Sequence, residues 1–132
     1  MIRALVMTHG DIGAQLVRVV EMILGPVDGL SALSNANKSA TDLQDDVSAW
    51  LAQGTGDGRE AGEIILIDDY GGSCASAAMI ACGQEKGRTI IAGVNLAMLL
   101  GYVTWRDNTD QTELVAKVIR KAREAITIVG GR

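Results

Sequence analysis

Short apolar runs alternate with amphipathic segments along this chain. The run at residues 64–67 is apolar at every position, which is typical of a central parallel strand covered on both faces. Other short apolar runs are bounded by glycine or polar residues and predict further strands. In chain order, the predicted strands are residues 2–7, 30–33, 64–67, 89–92 and, last, 127–129.

Apolar residues recur every three or four positions between these runs, which predicts amphipathic helices. Asp11 begins the first helix, and Gly25-Pro26 ends it. Thr41 and Gln44 match a capping box, which predicts that the Thr41 hydroxyl caps the second helix. The core-facing residues of that helix are predicted to be Leu43, Val47, Trp50 and Leu51. Further helices are predicted at 74–82, in a short segment ending at about residue 100, and at 111–126, with a loop at 54–62.

The alternation of strands and helices predicts the fold class. Parallel strands in one sheet are joined by crossovers that contain helices. We therefore expect an α/β fold with a doubly wound, mostly parallel sheet and helices on both faces. A chain of 132 residues without an internal repeat or a linker is predicted to be a single domain, residues 1–132.

Composition and charge narrow the classes of function. A 48% hydrophobic share excludes wholesale disorder, and a net charge of −4 opposes nucleic-acid binding, which needs a basic surface. Cys74 and Cys82 lack a Cys-x-x-Cys spacing and the chain has one histidine, so neither a structural zinc site nor a disulfide framework is expected. The longest apolar stretch, 89–103, contains Asn95 and is shorter than the roughly 20 residues of a membrane span. With no recognisable signal peptide, the chain is expected to be cytoplasmic.

Polar residues follow three of the predicted strands. They are Thr8-His9-Gly10 after the first strand, Asp68-Asp69 and Gly71-Gly72-Ser73 after the third, and Gly93 and Asn95 after the fourth. In parallel α/β sheets, ligands bind beyond the carboxyl ends of the strands, near the point where the strand order switches. The sequence therefore predicts a site at this edge, with the only histidine of the chain in it.

The chemistry of this set suits phosphoryl transfer. A neutral imidazole is a good nucleophile at pH 7, and a carboxylate that accepts a hydrogen bond from one ring nitrogen leaves the other nitrogen free to react. Backbone N–H groups at Gly10-Asp11 and Gly71-Gly72-Ser73 can hold phosphate oxygens without a metal. Position alone leaves a simpler interpretation open, in which His9 is a loop residue and Asp68-Asp69 are turn or helix-capping residues.

Three segments together resemble the mannose-type enzyme IIA domain of the bacterial sugar phosphotransferase system. They are Thr8-His9-Gly10, Ile67-Asp68-Asp69-Tyr70-Gly71-Gly72-Ser73 and Ala92-Gly93-Val94-Asn95-Leu96-Ala97-Met98-Leu99-Leu100. The resemblance extends over nearly the whole chain. It implies a flavodoxin-like fold and a homodimer in which a C-terminal strand is exchanged between subunits.

The resemblance also implies roles for individual residues. His9 matches the histidine that receives a phosphoryl group from the phosphocarrier protein HPr and passes it to a IIB component. Asp68 matches the aspartate that orients this histidine, and Ser73 matches the serine of the Gly-Gly-Ser turn near the phosphate. Together with the backbone donors named above, this predicts Gly10, Gly71, Gly72 and Ser73 as the phosphate-binding residues. No metal or other cofactor is expected, and contact with a membrane is expected only through IIC and IID components.

Two departures and two alternative functions accompany the resemblance. Cys74 and Ala97 stand where the family commonly has proline, which changes the backbone restraints near the site. A receiver-like regulatory module phosphorylated on Asp68 or Asp69 is one alternative. A hydrolase with Ser73, His9 and Asp68 as a triad is another, although the Gly-x-Ser-x-Gly elbow is absent.

Overall fold

The computed structural model describes residues 1–54 and 62–131, and strands and helices alternate along them. The predicted loop at 54–62 lies mostly outside these residues. In chain order, the described elements are β1 (Arg3–Thr8), α1 (Ile12–Leu24), β2 (Leu30–Ser34), α2 (Ala40–Ala52), β3 (Glu63–Ile67), α3 (Ser73–Cys82), β4 (Arg88–Ala92), α4 (Leu96–Trp105) and α5 (Gln111–Glu124). The first four predicted strands are therefore confirmed to within one residue at each end.

The four strands form one sheet in the order β2-β1-β3-β4, and every neighbouring pair is parallel. The chain leaves β1 towards β2 and then crosses β1 to reach β3, so the strand order switches between β1 and β3. Met7 pairs with Ile67 in the register of these two strands. The residues that follow β1 and β3 consequently emerge side by side at the carboxyl edge of the sheet.

The apolar runs of the central strands are explained by two core layers. Successive side chains of a strand point to opposite faces, so a strand covered on both faces is apolar throughout. One layer joins the sheet to α1, α4 and α5, and its strand residues include Ala4, Val6, Ile64 and Leu66. The other joins the sheet to α2 and α3, and its strand residues include Leu5, Met7, Ile65 and Ile67. The predicted α/β class, with helices on both faces, is confirmed.

The N-terminus of α2 differs from the predicted capping box. The helix begins at Ala40, and Ser39 caps it, since its Oγ accepts a hydrogen bond from the Asp42 N–H at 3.0 Å. The prediction of Thr41 as the cap is therefore wrong by two positions, because Ser39 offers the same hydroxyl chemistry one half-turn earlier. The core face of the helix is as predicted: Leu43, Val47, Trp50 and Leu51 are buried.

Helix α4 extends five residues beyond its predicted end, to Trp105. The predicted end at about residue 100 lies just before Gly101, and a glycine often ends a helix. Here Gly101 lies within the helix at a close approach: a Cβ atom on it would lie 2.8 Å from the Trp105 ring and 2.9 Å from Lys121 Cδ. This glycine therefore allows α4 and α5 to pack closely.

The predicted last strand, 127–129, is not formed within the described chain. Residues 126–129 have no regular secondary structure. A strand needs a neighbouring strand to pair its backbone N–H and C=O groups, and the segment after α5 pairs with none of the described strands. Its apolar side chains are open to solvent, with Ile126 81%, Ile128 87% and Val129 96% exposed.

None of the described helices combines the length and the apolar character that a membrane-crossing helix requires.

Candidate functional site

His9 lies directly beyond the end of β1, in the turn that leads to α1. The buried Thr8 fixes this turn, because its Oγ1 accepts a hydrogen bond from the Gly13 N–H at 2.7 Å. The bond satisfies one of the free N–H groups at the start of α1, whose N-cap residue, Asp11, makes no side-chain cap. The backbone around His9 is thus attached to both the sheet and the helix.

Asp68 follows β3 and contacts His9 twice through one carboxylate oxygen. Oδ2 accepts a hydrogen bond from the His9 backbone N–H at 3.0 Å and lies 2.9 Å from His9 Nδ1. The His9 side chain is 52% exposed, whereas that of Asp68 is 18% exposed. The carboxylate therefore holds one edge of the ring, and the rest of the ring faces solvent.

The second oxygen of Asp68 is also bonded. Oδ1 accepts a hydrogen bond from the Asp69 N–H at 3.0 Å. Burial by itself would raise the pKa of Asp68, but the hydrogen bonds from the backbone and side chain of His9, together with the charge of that ring, hold the pKa below its usual value. Asp68 is consequently an anion at neutral pH, with a fixed orientation.

Gly10, the next predicted site residue, is held from the opposite side of the turn. Its N–H donates a hydrogen bond to Asn35 Oδ1 at 3.2 Å. Asn35 follows β2, and its own N–H donates to the Thr8 carbonyl at 3.1 Å. The sequence interpretation missed Asn35; its position directly after the second strand was the available signal, because that strand ends at the same edge of the sheet.

Gly71, Gly72 and Ser73 form an exposed turn that leads into α3. Gly71 and Gly72 have φ angles of +133° and +84°, which residues with a Cβ atom rarely adopt. Gly72 is the N-cap residue of α3, so the interpretation of Asp68 or Asp69 as its cap is wrong. The first backbone N–H groups of a helix have no partner within the helix. The turn therefore presents donors on the loop that carries Asp68.

Cys74 lies in the first turn of α3 and is fully buried. Burial and the negative charge of Asp68 both raise the pKa of its thiol. The ligand atoms of His9, Asp68 and Cys74 all lie within 4.8 Å of one another. The sequence indicated that Cys74 lies near the site, but not that its thiol lies beside the imidazole.

Asn95, the polar residue after β4, has a structural role. Its Oδ1 accepts a hydrogen bond from the Met98 N–H at 2.9 Å, which caps α4. Its Nδ2 donates to the Ala122 carbonyl at 3.0 Å, which links the start of α4 to α5. Both ends of the side-chain amide are thus used in packing.

The family comparison agrees with this architecture. Residues 3–119 match the model of the family EIIA-man, described as "PTS system fructose IIA component", where PTS denotes the phosphotransferase system. Among curated proteins, the chain is 31% identical over 121 residues to the "PTS system mannose-specific EIIAB component" of Escherichia coli (strain K12). That match covers 90% of this chain and 36% of the relative, so the chain spans about a third of the relative's length.

Solved structures share the fold at lower sequence identity. Phosphotransferase system component EIIA from Streptococcus agalactiae matches with a TM-score of 0.86 and 22% identity, covering 97% of each chain. The mannose/sorbose specific IIA subunit from Enterococcus faecalis matches with a TM-score of 0.84 and 22% identity, covering 99% of this chain and 96% of the other. The family match extends over most of the chain, residues 3–119. The chain therefore belongs to the EIIA-man family of phosphotransferase-system IIA components.

Proposed function

We propose that this chain is a phosphocarrier that accepts a phosphoryl group from HPr on His9 and passes it to a IIB component. One observation carries the proposal: His9 Nδ1 lies 2.9 Å from Asp68 Oδ2 while the His9 side chain remains 52% exposed. Membership of the family supports the same reaction class.

The contact with Asp68 selects the nitrogen that reacts. In a neutral imidazole one nitrogen carries the proton and the other has a lone pair. An ionised Asp68 stabilises the proton on Nδ1, so the lone pair lies on Nε2. A bond forms between Nε2 and phosphorus as the bond between phosphorus and its donor breaks. The ring then becomes cationic, and the adjacent carboxylate stabilises that charge.

The oxygens of the transferred phosphoryl group need hydrogen-bond donors rather than a metal. Phosphoryl transfer depends mainly on positioning and on stabilising the charge of the equatorial oxygens. We assign this role to the backbone N–H groups of Gly71 and Gly72 and to Ser73, in the exposed turn after β3. The Gly10 N–H joins them when it exchanges its hydrogen bond to Asn35 Oδ1 for a phosphate oxygen. The step needs no resident cofactor, so a chelator should not slow transfer from phosphorylated HPr.

A partner protein has an apolar surface to contact beside His9. An open depression at the start of α1 has a volume of about 520 Å³. It is lined by Asp11, Ile12, Gln15, Leu16, Val19 and Leu96. Ile12 is 51% exposed there, three residues from His9 in the chain. This surface supports the proposal that HPr and IIB approach the imidazole from the α1 side.

The exposed C-terminal segment supports a homodimer. Ile128 and Val129 would be covered if the segment paired with the sheet of a second copy, as the predicted strand would do. We further propose that residues 1–132 act as one IIA domain in the cytoplasm. Any association with a membrane would then pass through IIC and IID components.

Phosphorylated HPr, purified away from its own donor, provides the test. A phosphoramidate on His9 is stable in base and labile in acid, so the isotopically labelled chain should lose its label at low pH and keep it at high pH. His9→Ala should not be labelled. Labelling of His9→Ala at the wild-type rate would contradict the proposal.

The same experiment separates the two alternative functions. A receiver-like module would carry an acyl phosphate on Asp68 or Asp69, which is labile in base, and its formation would depend on Mg²⁺. A hydrolase would turn over an activated ester, and Ser73→Ala would stop it. The bonding of both Asp68 oxygens within the chain favours the orienting role of this carboxylate over a role as phosphoryl acceptor.

A further inference from the structure

Three side chains of different chemistry lie close together at the carboxyl edge of the sheet. They are an imidazole from the turn after β1, a carboxylate from the loop after β3 and a thiol from the first turn of α3. The ligand atoms of His9, Asp68 and Cys74 lie within 4.8 Å of one another. Cys74 forms no disulfide, so its sulfur is available as a ligand.

We propose that His9, Asp68 and Cys74 form a binding site for a thiophilic divalent metal ion of the zinc class. Nitrogen, oxygen and sulfur ligands together match the preference of zinc, whereas Mg²⁺ and Ca²⁺ take oxygen ligands. Three protein ligands leave a fourth tetrahedral position for water or an exogenous ligand.

The present geometry is close to that of such a site. Zinc distances of about 2.0–2.3 Å place tetrahedral ligand atoms about 3.3–3.6 Å apart. The 2.9 Å separation of Nδ1 and Asp68 Oδ2 must therefore widen by about 0.5 Å. The sulfur, within 4.8 Å of the other two atoms, must approach by no more than about 1.5 Å. Rotation of the half-exposed His9 ring can supply the movement of Nδ1, and side-chain rotation of Asp68 and Cys74 must supply the rest.

Metal binding rearranges the protons of the site. The ion takes the Nδ1 lone pair, so the ring proton moves to Nε2, and Cys74 releases its thiol proton to solvent as the sulfur bonds to the metal. Nε2 then carries a proton in place of the lone pair that accepts phosphorus. An occupied site therefore blocks phosphorylation. This consequence rests on the proposed function, whereas metal binding itself does not.

Cys82 offers a matched control for Cys74. Both are buried cysteines of α3, but Cys82 lies at the far end of the helix. Zinc affinity would be measured by competition with a chromophoric chelator for the wild-type chain, Cys74→Ala and Cys82→Ala. We expect Cys74→Ala to bind at least about tenfold more weakly than the wild type, and Cys82→Ala to bind as the wild type does.

Two further measurements guard against a folding defect in Cys74→Ala. His9→Ala alters an exposed side chain and should weaken zinc binding by a similar factor. Cobalt in place of zinc should give a sulfur-to-metal charge-transfer band in the wild type and in Cys82→Ala, but not in Cys74→Ala. Equal zinc affinity of the wild type, Cys74→Ala and His9→Ala, or a wild type without the cobalt band, would overturn the proposal.

The effect on phosphorylation is read as a ratio of labelling rates with and without zinc, using isolated phosphorylated HPr. Zinc should lower this ratio at least about tenfold in the wild type and in Cys82→Ala, while the ratio for Cys74→Ala stays near one. Excess chelator should restore the wild-type rate. If no variant is labelled at all, the proposed function fails, and the zinc and cobalt titrations still decide whether the metal site exists.

Discussion

Polar side chains lie at both ends of the parallel strands, at the amino edge and at the carboxyl edge of the sheet, but their hydrogen bonding differs. At the amino edge, the polar groups of Arg3, Tyr102 and Gln111 are bonded to other parts of the chain. At the carboxyl edge, His9 is bonded through one edge of its ring only, and the turn at Gly71–Gly72 is exposed. Polar groups that are both exposed and free to bond, rather than polarity itself, distinguish the functional edge from the structural one.

The amino edge connects distant elements. Tyr102 is 1% exposed, and its hydroxyl donates a hydrogen bond to the Ile2 carbonyl at 2.6 Å. The Arg3 guanidinium donates to the Trp50 carbonyl at 3.1 Å and lies 4.2 Å above the Trp50 ring. Gln111 Nε2 donates to Thr89 Oγ1 at 3.0 Å. These bonds join the first strand to α2 and α4, and α5 to β4.

Replacement of His9 should produce the largest functional effect and a small structural one. His9→Ala removes the nucleophile, so labelling by phosphorylated HPr should be abolished. Because the His9–Asp68 contact is half exposed, its loss should change the free energy of unfolding by less than about 1 kcal/mol. Labelling and urea unfolding measure the two effects. Global unfolding of this variant would show that the carboxyl edge is structural as well.

Asp68→Asn should slow labelling without abolishing it. An amide can hold the ring but does not offset its positive charge, so we expect a fall in rate of about ten- to a hundredfold, or more. Asp69→Asn is the neighbouring control and should leave the rate unchanged. Equal single-turnover rates for wild type and Asp68→Asn would contradict the role of Asp68 in orienting His9 and offsetting its charge.

Tyr102→Phe should affect stability alone. It leaves the Ile2 carbonyl without its buried donor, which costs about 1–3 kcal/mol of unfolding free energy. Urea unfolding measures this loss, and the labelling rate of the folded variant should match that of the wild type. A change in labelling rate would mean that the two edges are coupled.

Alkaline pH should give the smallest effect, again at the amino edge. Burial raises the pKa of Tyr102 above its ordinary value of 10.0, although Arg106 acts in the opposite direction. The folded chain then holds a proton that the unfolded chain has lost, so stability falls as the pH rises above about 10. Comparison of melting temperatures should show a weaker decline in Tyr102→Phe. Parallel declines in both proteins would assign the effect to other groups.

Most of the fold could be predicted from the pattern of apolar residues. Strand β3 has no polar residue between Ile64 and Ile67, which required cover on both faces, and the alternation with helices required parallel crossovers. The predicted helix ends were wrong where a local sequence signal was compatible with two structures. Ser39 and Thr41 both offer a capping hydroxyl, and Gly101 resembles a helix end although it is a packing contact.

The site could be predicted in part. The positions of His9 and Asp68 after two strands were enough to expect their proximity once the strands were adjacent, and the contact is present at 2.9 Å. Asn35 was missed, and the closeness of the Cys74 thiol to the imidazole was not predicted, because these relations depend on strand order and on the rotation of α3, which no local pattern encodes. The predicted strand at 127–129 does not form within this chain, since a strand there requires a partner edge that the described sheet does not provide.

The proposed mechanism depends most directly on which nitrogen of His9 carries phosphorus. Phosphorylation of the chain with ¹⁵N-labelled histidine, followed by NMR detection of coupling between ³¹P and the ring nitrogens, identifies the bonded atom. The account predicts phosphorus on Nε2, with Nδ1 protonated and still directed at Asp68. Phosphorus on Nδ1, the nitrogen that lies against the carboxylate, would contradict it.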